Sequence, residues 1–152
     1  MANTYTSLDY HIVFSTQSRQ ALIHTGMEER LWAFMAGIAK NNGISPKRIG
    51  GVEDHVHLLV AIPPTLTVSK AVQLIKGGSS AWVNDQGIVE ASSRFRWQEG
   101  YGAFTVSPSK VAEVSAYIAN QREHHRRRSF QEEYREFLDR HGIDYDERYL
   151  WE

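Results

Sequence analysis

The segment formed by residues 52–62 constrains the fold of this chain more than any other part of it. The segment is largely apolar, it is stopped by Pro63-Pro64, and it contains His55 and His57 on either side of Val56. This pattern predicts a strand, because proline is tolerated only at the ends or edges of a sheet. Alternate side chains of a strand share a face, so both imidazoles should point the same way while Val56 points into the core.

Two imidazoles on one face of a strand lie about 7 Å apart by the strand rise and can converge on one metal ion. The alternative is a half-exposed strand with two incidental histidines. The pair lies in mid-strand between apolar residues, where threonine or lysine would be more usual, and this favours the metal site. Asp54 or Glu53 could then hold one imidazole in the tautomer that binds metal, or both could belong to a solvated turn.

The rest of the chain predicts strands and helices in the order β-α-β-β-α-β-β-α-α. Thr25 to Glu28 form a capping box at the start of the first helix, Gly43 ends that helix, and Ser129 to Glu132 form a second capping box. The predicted strands are residues 5–15 (with one buried face), 44–51, 52–62, 95–97 and 101–106, with Gly50-Gly51 near the junction of the second and third. The predicted helices are residues 25–42, 67–84, 109–127 and 129–140, and residues 85–93 predict a loop. This order favours an α+β fold, with an antiparallel sheet of the ferredoxin-like or RRM-like kind and helices packed on it.

The charge of the chain is unevenly distributed. Residues 1–128 contain 14 Lys/Arg and 10 Asp/Glu, whereas residues 129–152 contain 3 and 8, so a mildly basic body precedes an acidic tail that is predicted to be helical. The 152 residues suit a single domain. We find no cysteine, no signal peptide and no apolar run long enough to span a membrane, and we therefore expect a cytoplasmic location.

The predicted helix at residues 109–127 places Tyr117 and Gln121 one turn apart on the same face. Taken alone, Tyr117 is a boundary aromatic and Gln121 an exposed helix former. If the helix lies beside the histidine pair, the amide oxygen and two imidazoles leave open positions on a divalent ion. Such a ligand set suits Mg²⁺ or Mn²⁺, and zinc stays possible. A phenol becomes a usable nucleophile only if the metal or a base takes up its developing charge.

Several stretches of the sequence together resemble the TnpA-type single-tyrosine transposases of small insertion sequences and their REP-associated relatives, which belong to the HUH (His-hydrophobic-His) nucleases. The matching stretches are residues 10–16 (YHIVFST), 54–60 (DHVHLLV), 73–80 (QLIKGGSS), 97–107 (WQEGYGAFTVS), 117–121 (YIANQ) with His124 and His125 after it, and 145–151 (YDERYLW). The resemblance covers nearly the whole chain in the expected order.

The resemblance implies that His55, His57 and Gln121 bind the metal and that Tyr117 is the nucleophile. Tyr117 would attack a single-stranded DNA phosphate and leave a 5′-phosphotyrosine and a free 3′-hydroxyl, which later reverses the step and rejoins the DNA. Members of the family work as homodimers and recognise DNA hairpins near the ends of their elements. In many of them the tyrosine helix acts on the partner's metal site. A mobile-element transposase and a domesticated relative both fit this pattern.

Basic residues near the predicted site are candidates for contacts with DNA phosphates. They are Lys76, Arg122, Arg126 and Arg127, with Arg128 beside them. A solvated helix end is the alternative for the arginines. His124 or His125 is a rival metal ligand, and Tyr101 is a rival nucleophile. Two other functions stay open: a non-catalytic nucleic-acid-binding module on an RRM-like sheet, and a metal hydrolase that uses water.

Overall fold

The computed structural model describes residues 3–87 and 94–152. Its strands are β1 (Asp9–Ser15), β2 (Ser45–Val52), β3 (His55–Ala61) and β4 (Gly102–Val106). Its helices are α1 (Thr25–Asn41), α2 (Val68–Asp85), α3 (Val111–Ala119), α4 (Gln121–His125) and α5 (Phe130–Arg140), with short 3₁₀ turns at Gln17–Arg19 and Pro108–Lys110. All strand pairs are antiparallel, in the order β2-β3-β1-β4. The β-α-β-β-α-β order and this sheet confirm the predicted α+β fold.

Helices α1 and α2 cover one face of the sheet. The side chains that β1 and β3 direct to this face are Ile12, Phe14, Val56, Leu58 and Val60. They pack with Met27, Leu31 and Met35 of α1 and with Ala71, Val72 and Ile75 of α2. This larger core fixes the position of β3. Within residues 3–87 and 94–152, no helix is long and apolar enough to cross a bilayer.

The opposite face of the sheet is also covered. Val13 of β1 and Phe104 of β4 pack with Phe130, Tyr134 and Leu138 of α5 in a second core. The prediction that the first strand has one buried face is therefore wrong, because Asp9, His11 and Ser15 are buried as well. The strand also begins later than predicted, and residues 3–8 are exposed. The cover comes from a helix more than 100 residues further along the chain, which the pattern of the strand itself does not reveal.

The hairpin between β2 and β3 turns at Glu53 and Asp54, two residues later than predicted. Gly50 and Gly51, which were expected near the junction, lie inside β2. A Cβ atom on Gly51 would lie only 2.2 Å from the backbone oxygen of His55. Glycine is therefore needed here for close approach of two backbones rather than for a turn.

The predicted strand pair at residues 95–97 and 101–106 is wrong in part. Only Gly102–Val106 forms a strand, and it pairs with β1. Trp97 instead makes a single bridge to Thr16. The indole Nε1–H donates to Ser79 Oγ at 2.9 Å, so Trp97 fills the core between the sheet and α2. Of the predicted loop at residues 85–93, residues 88–93 lie outside the described part of the chain.

The helix ends follow the predictions unequally. Gly43 and Gly142 adopt positive φ values of 74° and 64°, each one residue beyond the C-cap of its helix, as expected of glycines that end helices. The capping box at Ser129 is confirmed, since its Oγ accepts a hydrogen bond from the backbone N–H of Glu132. The prediction of a capping box at Thr25 is wrong, because His24 occupies the N-cap position and its side chain makes no capping hydrogen bond.

Candidate metal centre and tyrosine site

The two histidines of β3 point to the sheet face that α3, α4 and α5 cover. Both side chains are completely buried, and their ring centroids are 5.1 Å apart, so they share a face as their spacing predicts. Nδ1 of His55 lies 2.7 Å from Oδ1 of Asp54, and Nδ1 of His57 lies 2.8 Å from Nε2 of His11. Because each Nδ1 has a partner, each Nε2 faces the centre of the site.

Helices α4 and α5 bring three more ligand-type side chains to this centre. Oε1 of Glu133 lies 3.0 Å from Nε2 of His57, 3.3 Å from Nε2 of His125 and 3.6 Å from Nε2 of His55. The ligand atoms of these four residues all lie within 4.8 Å of one another. Oε1 of Gln121 lies 3.3 Å from Nε2 of His55 and 3.1 Å from Nε2 of His125. The structure therefore brings together the three predicted ligands and adds His125 and Glu133.

The donor set at this centre fits a divalent cation. Nε2 of His55 faces two oxygens that can only accept, one from Gln121 and one from Glu133, while its Nδ1 faces the carboxylate of Asp54. A neutral imidazole has one proton and cannot donate on both sides. A positive charge among these groups satisfies all of the acceptors at once. Imidazole nitrogens with amide and carboxylate oxygens are usual ligands of Mn²⁺ and Zn²⁺, whereas Mg²⁺ prefers oxygen.

The electrostatics of the cluster follow from its burial. Burial alone would raise the pKa of the Glu133 carboxyl, but hydrogen bonds from His125 and His57 hold that pKa well below its usual range. Burial lowers the pKa of His57, although its hydrogen bond with Glu133 opposes this. Burial also acts to lower the pKa of His125, but Glu133 outweighs it and the pKa is raised. The carboxylate of Glu133 is therefore ionised and is the negative centre of the cluster.

Tyr117 reaches the same cluster from the last turn of α3. Its hydroxyl donates a hydrogen bond to Oε2 of Glu133, and Nη2 of Arg128 lies 3.5 Å from the phenol oxygen. The ring is 5.9 Å from that of His57, centroid to centroid, and stacks on His124 at 4.5 Å. Burial and the Glu133 carboxylate raise the pKa of Tyr117 above its ordinary value, and Arg128 opposes them. The phenol is therefore neutral in this arrangement.

The segment that holds Tyr117 is not the continuous helix that was predicted. Asn120, with φ −106° and ψ 29°, separates α3 from α4. Gln121 nevertheless stays on the same side as Tyr117, because its Nε2 donates to the Tyr117 carbonyl at 3.2 Å. Gly50 lets this segment approach β2 closely, since a Cβ there would lie 3.0 Å from the backbone oxygen of Ile118. The tyrosine helix is thus fixed against the sheet edge next to the histidines.

The predicted DNA-binding arginines lie on the surface beside the cluster. Arg122 pairs with Glu28 at 2.6 Å, and Arg126 pairs with Glu123 at 3.6 Å. Arg127 is exposed in the turn that follows α4. All three side chains face solvent, where ion pairs are weak and can exchange for phosphate contacts.

Lys76 lies apart from the cluster, on α2. Its Nζ donates to the backbone carbonyls of residues 98, 99 and 100 at 2.8, 3.1 and 2.6 Å, which occupies all three of its N–H groups. Burial lowers the pKa of Lys76 to about 8. Tyr101, the rival nucleophile, lies with its ring 5.7 Å from this ammonium. The structure therefore places Tyr101 and Lys76 together, and both away from the histidine cluster.

Glu133 and His11 were not predicted as parts of the site, whereas Arg128, predicted among the DNA-phosphate contacts, lies beside the Tyr117 hydroxyl. For Glu133 the sequence does contain a signal. Phe130, Tyr134 and Phe137 have the spacing of the buried face of a helix, and Glu133 falls on that face, where a charged residue is unusual. For His11 the neighbouring strand residues give no comparable signal.

Comparison with known proteins identifies the family of this chain. The family model for IS200-like transposases (Y1_Tnp) matches residues 4–121. The transposase of insertion sequence IS200 from Salmonella typhimurium is 28% identical over 126 residues, which are 81% of this chain and 82% of that protein. The ISDra2 transposase TnpA from Deinococcus radiodurans is 25% identical over 122 residues, which are 75% of this chain and 84% of that protein.

Two solved structures share the fold. The crystal structure of a transposase-like protein from Deinococcus radiodurans has a TM-score of 0.61 and 24% identity, and the match covers 80% of this chain and 96% of the other. A REP-associated tyrosine transposase bound to a REP hairpin has a TM-score of 0.56 and 11% identity, with coverage of 79% and 72%. Because the family model spans more than half of the sequence, including the histidine pair and the tyrosine, this chain belongs to the IS200-like transposase family.

Proposed function

We propose that this protein cuts and rejoins single-stranded DNA through a covalent bond to Tyr117, with a divalent metal at the histidine cluster. Membership of a transposase family implies a DNA-cutting enzyme. One observation supports the tyrosine chemistry most directly. A single carboxylate, that of Glu133, accepts a hydrogen bond from Tyr117 through one oxygen and contacts His57 through the other. The proposed nucleophile and the proposed metal ligands are therefore adjacent in one chain.

The proposed metal ligands are His55, His57 and Gln121, with His125 and Glu133 able to complete the coordination. We propose Mg²⁺ or Mn²⁺, and the two imidazoles favour Mn²⁺ of the two. When bound, such an ion polarises the scissile phosphate and offsets its developing negative charge. Asp54 orients His55 through the 2.7 Å contact to its Nδ1.

In the proposed reaction the phenol oxygen of Tyr117 attacks the phosphorus of a DNA phosphodiester. One O–P bond forms to tyrosine, the P–O3′ bond breaks, and the phenolic proton is transferred, through Glu133, to the departing 3′ oxygen. The products are a 5′-phosphotyrosine and a free 3′-hydroxyl. Attack by this or another 3′-hydroxyl reverses the step and rejoins the DNA. Arg128, near the phenol oxygen, would attract the scissile phosphate and favour the phenolate.

The proposed substrate is single-stranded DNA that contains a hairpin, since a relative of the same fold is bound to a REP hairpin. Arg122, Arg126 and Arg127 would contact its phosphates from the solvent side of the cluster. Lys76 stays a predicted DNA contact. Its three hydrogen bonds to the backbone carbonyls of residues 98–100 also fit a structural role in which it holds this segment against α2. A homodimer and a cytoplasmic location also remain predictions.

The test is a denaturing gel of purified protein with Mn²⁺ and labelled single-stranded hairpin DNA. We expect label that migrates with the protein, survives boiling in detergent and disappears in Tyr117→Phe. Tyr101→Phe is the matched control and should retain the adduct, since Tyr101 lies away from the histidines. Cleavage without any adduct in repeated rapid-quench samples would favour a hydrolase. Label that persists in Tyr117→Phe would exclude this nucleophile. His57→Ala should weaken Mn²⁺ binding measured by calorimetry.

A further inference from the structure

A third buried imidazole lies behind the metal cluster and has no part in the function proposed so far. His11 is on β1, the strand next to β3, and only 4% of it is exposed. Its Nε2 lies 2.8 Å from Nδ1 of His57, and the two ring centroids are 5.0 Å apart. The ring of Phe137 on α5 is nearly perpendicular to that of His11, with ring centroids 5.0 Å apart. The ring of His11 therefore contacts both His57 and α5.

The proton count of this pair determines what His11 can do. A neutral imidazole has one N–H group and one lone pair, so exactly one of the two facing nitrogens can donate. If Nε2 of His57 binds a cation, that nitrogen must present its lone pair, and the His57 proton is then on Nδ1. Nε2 of His11 must then accept a hydrogen bond from this N–H, and His11 has its own proton on Nδ1. His11 and Tyr117 line the same cavity, which has a volume of about 840 Å³.

The opposite arrangement holds when no cation is bound. Nε2 of His57 then faces the carboxylate of Glu133 at 3.0 Å and donates to it. Its Nδ1 has no proton and accepts from Nε2–H of His11. Nε2 of His11 can therefore accept the hydrogen bond when a cation is bound and donate it when no cation is bound. Asp54, the partner of His55, has a carboxylate that can only accept.

We propose that His11 is a positioning residue that holds the ring of His57 and its metal-binding tautomer through the hydrogen bond between the two imidazoles. The inference rests on the proposed metal site, because it concerns how one of its ligands is oriented. The two histidines of β3 would then be held in different ways, His55 by a neighbouring carboxylate and His57 by a reversible imidazole pair. Partners of this kind commonly change metal affinity by about 10- to 100-fold when they are removed.

Two variants of the full chain separate a hydrogen-bonding role from packing. His11→Phe retains an aromatic ring against Phe137 but can neither donate nor accept at that position. His11→Gln has an amide that can do both after rotation. Calorimetric titration with Mn²⁺ should show affinity lower by about 10- to 100-fold in His11→Phe and substantial recovery in His11→Gln. Thermal unfolding of each variant in EDTA verifies that it is folded before the titration is interpreted.

Each outcome decides between the possibilities. Unchanged Mn²⁺ affinity in folded His11→Phe overturns the proposal, and equal weakening in both variants assigns His11 a packing role and overturns it as well. If wild type does not bind Mn²⁺, the metal site itself is wrong and the proposal fails with it. A second measurement needs no variant: imidazole ¹⁵N spectra of wild type with Zn²⁺ as a diamagnetic probe. We expect both His57 and His11 to be protonated on Nδ1, and His11 protonated on Nε2 in the loaded protein would contradict the proposal.

Discussion

Glu133 is a charged side chain in a place where an apolar one would be expected. It is 1% exposed and lies on the face of α5 that packs against the sheet. A buried carboxylate is costly unless it is well paired, and apolar side chains of similar volume often stabilise such a site better. Here Tyr117, His57 and His125 pair with it. We therefore expect that Glu133 serves the proposed chemistry rather than the stability of the fold.

The buried imidazole of His11 should make the stability of the metal-free protein depend on pH. Burial, followed by the neighbouring His57, lowers the pKa of His11 from 6.5 to about 3. As the pH falls below about 6.5 the unfolded chain binds a proton that the folded chain does not, so stability decreases down to about pH 3. His11→Phe lacks this site. Wild type should therefore lose about 2 kcal/mol more unfolding free energy than His11→Phe between pH 7 and pH 5.

Denaturant unfolding in EDTA at the two pH values measures this difference. The comparison uses the change with pH and not the absolute stability, because the phenylalanine also alters packing. His57 has a pKa that is lowered in the same direction and should contribute in both proteins. Parallel losses of stability in wild type and His11→Phe would show that His11 is protonated in the folded state at pH 5.

At the scale of residues, the sequence could locate the site but not complete it. His55 and His57 lie on one strand, and Tyr117 and Gln121 lie one turn apart, so local spacing is enough to place each pair on a face. His11 and Glu133 contact His57 across 46 and 76 positions of the chain. Contacts at such separations depend on how strands and helices pack, which the spacing of residues within one element does not contain.

The two capping boxes provide an experiment at the scale of elements. Both have the same Ser/Thr-x-x-Glu pattern, but only Ser129 accepts a hydrogen bond from the backbone N–H three residues later. Ser129→Ala should destabilise the protein by about 1 kcal/mol, since it removes a true N-cap. Thr25→Ala is the matched control. It should change stability by less than about 0.5 kcal/mol, because Thr25 is an exposed residue inside the first turn.

Denaturant unfolding measures the change in stability of both variants. The midpoint should shift while the dependence of the unfolding free energy on denaturant concentration stays constant. A loss at Thr25 equal to that at Ser129 would mean that the first box forms in solution and that His24 is not the N-cap. No loss at Ser129 would mean that α5 is held by its packing alone. Because α5 supplies Glu133, Ser129→Ala should also weaken Mn²⁺ binding slightly, whereas Thr25→Ala should not.

Elements with strong periodicity were the predictable ones. Strand β3 and helices α1 and α2 follow their predicted ranges to within three residues, because each has one clear apolar face or run. The errors occur where a distant partner decides the conformation. Asn120 interrupts the helix predicted over residues 109–127, and Trp97 bridges to Thr16 instead of joining a hairpin. At Gly50-Gly51 the pattern predicts a junction between strands, whereas the two glycines allow close approach of neighbouring backbones.

The larger apolar core and the proposed site lie on opposite faces of a single sheet. One face packs on α1 and α2 in a large apolar core. The other face presents His55 and His57 and is covered by α3, α4 and α5, which supply the remaining proposed ligands and the tyrosine. The basic and acidic residues are also unevenly distributed along the chain. The acidic surplus of residues 129–152 includes Glu133 and Glu136, the latter paired with Arg128 and Arg140. Part of the acidic tail is therefore structural, and the net charge of −1 understates how basic the first 128 residues are.

The position of Tyr117 leads to a prediction about how a homodimer would work. Its hydroxyl is bonded to Glu133 of the same chain, and that carboxylate contacts His57 of the same chain. We therefore expect the tyrosine to act on its own chain's metal site. Tyr117→Phe and His57→Ala should each abolish the covalent DNA adduct, and co-expressing the two should not restore it, since neither chain then has both groups.

Size tags make this test decisive. The two variants are co-expressed with tags of different length, mixed dimers are purified through both tags, and labelled hairpin DNA is added with Mn²⁺. A wild-type chain co-expressed with Tyr117→Phe is the control, and label should appear only at the size of the wild-type chain. In the mixed variant dimer, label on the His57→Ala chain, which retains Tyr117, would require that tyrosine to reach the partner's histidines. Helix α3 would then have to leave the position it occupies here against Gly50 and join the other subunit.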